Sequence, residues 1–165
     1  MNRILALDQA KHTGYAVFEL KDTNEYELID YGVLDSKFEN YELVALDISK
    51  KVQSLINKYN PKVLLLEDVQ NQSNPSSFKK LSMLLGVLLK TSHLNNIPYE
   101  IYSCNTWRKI LRNNLPYHGK RIQRTEWKKA SKQFALDTYG IKVNNDIADA
   151  ICIGLYYLNF EIGDD

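Results

Sequence analysis

Four acidic residues in this 165-residue chain stand where carboxylates can act together. Asp8 follows the apolar run Ile4-Leu5-Ala6-Leu7, and Glu67 follows Val63-Leu64-Leu65-Leu66, so each sits where a strand leaves the core. In α/β sheets ligands bind at that edge, beyond the carboxyl ends of the strands. Asp68 is the alternative in the second segment. Side chains alternate along a strand, so only one of Glu67 and Asp68 can face a shared site. Asp146 and Asp149 are three apart at the start of a C-terminal helix, hence on one face of it. Each acid alone has a plain structural explanation: it starts a loop, or it caps a helix and complements its dipole. Asn144 and Asn145 can cap equally well, however, so the aspartates are not needed for capping. As a set the four can do more. Carboxylates about 4 Å apart repel by roughly 4 kcal/mol per pair at an effective dielectric of 20, so a protein that gathers them protonates some or binds a cation. Oxygen-only ligands suit Mg²⁺ or Mn²⁺. Two such ions about 3.5–4 Å apart can activate a water and stabilise the leaving oxygen of a phosphodiester. Spacing along the chain does not by itself bring the four together in space.

The charge distribution points to an anionic partner. The net charge is only +1, but Thr106–Lys132 carries nine basic residues (Arg108, Lys109, Arg112, Lys120, Arg121, Arg124, Lys128, Lys129 and Lys132) against one acid, Glu126. Such a segment is either a solvated basic surface or a phosphate-binding face. The two cysteines, Cys104 and Cys152, read as a reduced pair. They and the scattered His12, His93 and His118 make no zinc-ligand spacing. No apolar run is long enough to span a bilayer, and the N-terminus, broken by Asp8, does not read as a signal peptide. The expectation is a cytoplasmic protein with no membrane partner.

Periodicity supplies the elements that must position the acids. Arg3–Asp8, Thr13–Leu20 and Tyr26–Asp35 are predicted strands of an antiparallel meander, with a turn at Asp22-Thr23-Asn24. Tyr41–Tyr59 has helical apolar spacing and is stopped by Pro61. Val63–Glu67 is a strand buried on both faces. Ser76–Asn95 is a helix apolar nearly all round, which needs cover on more than one side: Leu81, Leu85 and Leu88 are candidates for a dimer interface or for core. Pro98–Tyr102 is a short strand, and Asn105–Arg112 a short helix with Asn105 as N-cap. A polar loop follows over Asn113–Arg124. Thr125–Tyr139 is a helix closed by Gly140, and Asn145–Phe160 is the last helix. The class is α/β, a mixed five-stranded sheet flanked by helices in a single domain over residues 1–165.

Three segments carry a family resemblance. ILALDQAKHTGYAVF resembles the first motif of RuvC-like Holliday junction resolvases, an aspartate on the first strand followed by Thr-Gly-Tyr. VLLLEDVQ resembles the second, a strand ending in a glutamate, and NNDIADAICIGLYYL the last, Asp-x-x-Asp-Ala leading into a helix of small residues. The run Asn74, Ser77, Lys80, Leu81, Gly86 and Val87 is similar without a gap. The resemblance implies an RNase H-like fold and an endonuclease whose catalytic and metal-binding acids are Asp8, Glu67, Asp146 and Asp149. It implies Mg²⁺, two ions per site, with Mn²⁺ able to substitute. It further implies a homodimer that cleaves branched DNA and leaves 5′-phosphate ends. The family's active-site lysine falls on Lys128 or Lys129, and Lys129 is preferred. Expected DNA contacts are Gln70, Lys80, Arg108, Lys120, Arg121, Arg124 and Lys128. Gln9-Ala10 replaces the Pro-Gly of bacterial relatives, and Gln70 replaces an aromatic that contacts bases. The Trp107-Arg108 pair looks more like phage relatives. The competing readings are a less selective flap or fork nuclease and a branched-DNA binder without turnover.

Overall fold

The computed structural model describes residues 2–21, 25–70, 74–115 and 121–160. The predicted turn at Asp22-Thr23-Asn24 lies outside the described residues. Strands β1 (Asn2–Asp8), β2 (His12–Leu20) and β3 (Tyr26–Asp35) form the expected antiparallel meander. Helix α1 (Tyr41–Tyr59) then leads to β4 (Val63–Glu67), and α2 (Pro75–Leu94) leads to β5 (Tyr99–Tyr102). The sheet order is β3-β2-β1-β4-β5, with β4 parallel to β1 and β5 parallel to β4. Each parallel step contains a helical crossover, the length such a connection requires.

Strand alternation divides the core into two. Ile4, Ala6, Ala16, Phe18, Val63 and Leu65 point to one face of the sheet, where α4 (Arg124–Tyr139) and α5 (Asn145–Phe160) cover them. Leu5, Leu7, Val17, Leu64 and Leu66 point to the other, under α1 and α2. Helix α5 is the principal cover of the first face, with buried residues from Ala148 through Leu158. Two glycines set how closely it lies. A Cβ on Gly14 would come within 1.9 Å of the Asp146 carbonyl oxygen, and one on Gly154 within 2.2 Å of the Phe18 ring.

Two details differ from the sequence reading. The segment after β5 is not one helix capped by Asn105. A short helix α3 (Cys104–Trp107) is capped by the Ser103 hydroxyl, which accepts from the Thr106 amide at 3.2 Å, and a 3-10 helix over Arg108–Asn114 continues it. Serine one residue before the turn serves the exposed amides better than an asparagine already inside it. In α2 the fully buried side chains are Leu84, Leu88, Thr91 and Ser92, a narrow stripe against α1 and the sheet. Leu88 is therefore core of its own protomer and not an interface residue, whereas Leu81 and Leu85 remain partly exposed.

Candidate active site

Register and alternation place the acids. The β1–β4 ladder runs to Leu7↔Leu66, so Asp8 and Glu67 are the next residues on adjacent parallel strands. Asp8 shares the parity of Ile4 and Ala6, and Glu67 that of Val63 and Leu65, so both face the α5 side. Asp68 is turned away and exposed, as expected. Asp8 is also paired with Gly14, the residue on which the Asp146 backbone rests. The first turn of α5 is thus seated directly over the end of β1. Its cap is Asn144, whose Oδ1 accepts from the Ile147 amide at 2.9 Å, which leaves Asp146 and Asp149 free of capping duty.

The electrostatics show how close the acids are. The Asp8 carboxyl is held well above the usual carboxylate range, first by burial, then by the charges of Glu67 and Asp149, by a hydrogen bond to Glu67 and by the charge of Asp146. The same bond tempers the rise that burial imposes on Glu67. Asp149 is raised by burial too, and is relieved by the Ser131 hydroxyl and by the charges of Arg108 and Lys128. All four predicted acids therefore act on one another. Among the described residues no three acids, histidines or cysteines stand in a finished coordination cluster. The donor set is nevertheless oxygen-only and crowded with like charge, the chemistry that a hard divalent cation relieves.

The basic residues divide by position. Arg108 is a cation close to the acids. Its charge favours the ionised forms of both Glu67 and Asp149, and its guanidinium lies 5.0 Å from the Trp107 ring centroid and 5.3 Å from that of Trp127. Its buried Nε has no hydrogen-bond partner among the described residues. The Trp107 indole N–H faces Glu67, favouring its charged form without reaching full hydrogen-bond geometry. On α4 the two candidate lysines stand apart. Lys128, in phase with Ser131, is the lysine whose charge reaches Asp149, whereas Lys129 is exposed and lines a separate hollow with Lys132, Gln133, Leu136 and Lys142. One residue along a helix is a turn of about 100°, enough to take Lys129 off the acid face.

Arg121 and Arg124 are exposed ahead of α4 and at its start, Gln70 is half-buried just beyond β4, and Lys80 lies 5.7 Å from the Tyr41 ring. Lys120 lies outside the described residues. Ion pairs among the described residues, such as Arg3–Glu19 and Lys51–Asp47, fall outside the basic segment. Ser131 and Trp127 were not singled out from sequence, and Gln9 was named only as part of the departure Gln9-Ala10. Only Gln9, a buried polar residue directly after an apolar strand, left a signal there.

The chain has relatives among known proteins. The family model for crossover junction endodeoxyribonuclease RuvC matches residues 4–156. The RuvC of Caldicellulosiruptor saccharolyticus is 25% identical over 158 residues, 94% of this chain and 92% of that protein. The RuvC of Fusobacterium nucleatum is 24% identical over 159 residues, 95% and 80% of the two. Thermus thermophilus RuvC in complex with a Holliday junction substrate superposes with a TM-score of 0.74 at 16% identity, covering 99% of this chain and 97% of the other. The yeast mitochondrial Holliday junction resolvase Ydc2 gives 0.64 at 18% identity, covering 98% and 79%. These structural matches establish the RNase H-like fold. The family model spans the sheet, the acid cluster and most of α5, and the chain belongs to the RuvC family of crossover junction endodeoxyribonucleases.

Proposed function

We propose that this protein is a metal-dependent endonuclease that cleaves Holliday junctions and other branched DNA by phosphodiester hydrolysis, leaving 5′-phosphate and 3′-hydroxyl ends. One observation carries the reading: Asp8, Glu67, Asp146 and Asp149 act on one another at the carboxyl end of β1 and β4, beside Arg108 and Lys128. These four acids are the proposed ligands of Mg²⁺, two ions per site, with Mn²⁺ able to substitute. When bound, the ions supply an activated water and a counter-charge for the leaving oxygen. The protein's own residues do the rest. Arg108, stacked between two indoles, offers a guanidinium to a phosphate with little freedom left to lose. Lys128 brings a second positive charge to the same edge, and Ser131 holds Asp149. Arg121 and Arg124 meet the backbone farther out, with Lys120, Gln70 and Lys80 as further proposed contacts.

Two copies cutting opposing strands suit a junction of near two-fold symmetry. Helix α2 supports a homodimer: Phe78 and Leu94 are exposed, and Leu81, Met83, Leu85 and Leu89 are only partly covered. The setting is the cytoplasm, that of the host if a phage encodes it. Among the described residues no helix is long and apolar enough to cross a membrane.

The test is cleavage of a four-way junction, a flap and a linear duplex with Mg²⁺, Mn²⁺ or EDTA, beside Glu67→Gln. Paired nicks in the junction that need metal and vanish in the variant, with junction binding retained, are expected. Equal cutting of the flap would make it a general branch nuclease, the outcome that Gln70 in place of an aromatic favours. Binding without cutting would leave a DNA-binding protein.

A further inference from the structure

The end of the β1–β4 ladder holds a residue that the proposed chemistry does not use. Gln9 follows Asp8, is 6% exposed, and has the parity of Leu5 and Leu7, opposite to the acids. Its side-chain amide reaches across to β4 and engages both backbone groups of one residue, Glu67. Gln9 Oε1 accepts from the Glu67 N–H at 3.0 Å, and Gln9 Nε2 donates to the Glu67 carbonyl. Past Leu7↔Leu66 the main chain of β1 no longer supplies partners to β4. The glutamine amide, one donor and one acceptor in a plane, stands in for the missing peptide unit. The turn that carries it is fixed separately: the Thr13 hydroxyl donates to the Ala10 carbonyl at 2.6 Å and accepts from the Ala10 amide at 3.2 Å.

We infer that Gln9 is a positioning residue for the acid pair. It extends the β1–β4 pairing by one rung through its side chain, and so holds Glu67 beside Asp8 at the distance the site needs. The inference rests on the proposed function, where Asp8 and Glu67 share a cation. The test separates placement from stability. It compares wild type, Gln9→Met (equal length, no amide) and Thr13→Val, which loosens the same turn without touching Glu67. Three quantities are measured: Mn²⁺ affinity of the intact protein by calorimetry, kcat and KM on a four-way junction, and hydrogen exchange at the Glu67 amide.

In Gln9→Met, Mn²⁺ affinity and kcat should each fall about 10- to 100-fold, the usual effect of losing a group that orients a metal ligand. The KM for DNA should stay within about twofold, and Glu67 amide protection should be lost. Thr13→Val should lower the melting temperature and leave Mn²⁺ affinity and Glu67 protection in place. If Gln9→Met melts earlier but keeps wild-type affinity, kcat and Glu67 protection, Gln9 only packs the turn and the inference is overturned. If wild type itself neither binds Mn²⁺ nor cuts, the functional reading has failed. The exchange data then decide alone: protection lost in Gln9→Met supports the rung, and unchanged protection removes it.

Discussion

Asp8 is placed against its own electrostatic interest, and this is measurable without any substrate. A carboxyl held above its ordinary range binds its proton more tightly in the native than in the unfolded state. Native stability therefore falls as pH rises from the ordinary carboxylate range through the folded-state value, and is unaffected below that window. Asp8, Glu67 and Asp149 all shift in this direction, each chiefly through burial. In EDTA, Asp8→Asn should melt about 2–4 °C above wild type at pH 7.5, the size of a 1 kcal/mol gain for a domain of this length. The difference should close at pH 4. Equal melting temperatures at pH 7.5 would mean that the Asp8 charge finds relief elsewhere. A residue that weakens the fold and yet stands at the end of a core strand is what a functional site looks like at this scale.

At the scale of elements, the site depends on how closely α5 can lie on the sheet. Gly14→Ala directs a methyl group at the Asp146 carbonyl, a backbone atom with no rotamer to escape into. The helix must retreat, so Gly14→Ala should cost about 1–3 kcal/mol in urea unfolding and abolish cleavage by moving both aspartates. A wild-type midpoint would show that α5 tolerates the retreat. Helix α2 offers a contrast between neighbouring turns. Leu88→Lys should unfold the chain, because Leu88 is fully buried in its own protomer, whereas Leu85→Lys should leave a folded monomer in gel filtration. A Leu85→Lys dimer would place the interface elsewhere.

These elements also show what was legible beforehand. Strand parity showed that only one of Glu67 and Asp68 can face a shared site, and the motif resemblance chose Glu67. Asn144 explained in advance why the α5 aspartates need not cap. Helical phase was harder. Leu81, Leu85 and Leu88 look alike in an all-apolar helix, and Lys128 and Lys129 are adjacent lysines. Which one faces the site is decided by packing against α5 and the sheet, not by local pattern. Gln9 was visible as a departure from the family's Pro-Gly, but its role was not: its partners are the backbone of a residue 58 positions away, and backbone groups leave no mark in composition.

For the whole molecule, the division of labour between the faces governs how it meets DNA. The acids lie on the α4/α5 side, together with Arg108 and Lys128, and the exposed Arg121 and Arg124 belong to the same chain segment. Binding to a junction should weaken steeply with salt. Arg121→Ala with Arg124→Ala should reduce the slope of log K against log salt by roughly 1–2, about one per lost phosphate contact, with cleavage at saturating protein preserved. An unchanged slope would mean that the start of α4 does not touch phosphate.

The seating of α5 over β1 also has a consequence in time. Asp8 and Glu67 leave the ribosome well before their partners, Asp146 and Asp149, which stand on α5. At 5–20 residues per second, the interval between Glu67 and Asp146 is roughly 4–16 s. Throughout it the nascent chain exposes one greasy side of its sheet with two of its four acids in place. A copy that has made β1–β4 but not α5 therefore leaves one face of its sheet uncovered and lacks Asp146 and Asp149, and the arrival of α5 covers that face and completes the acid set in a single step.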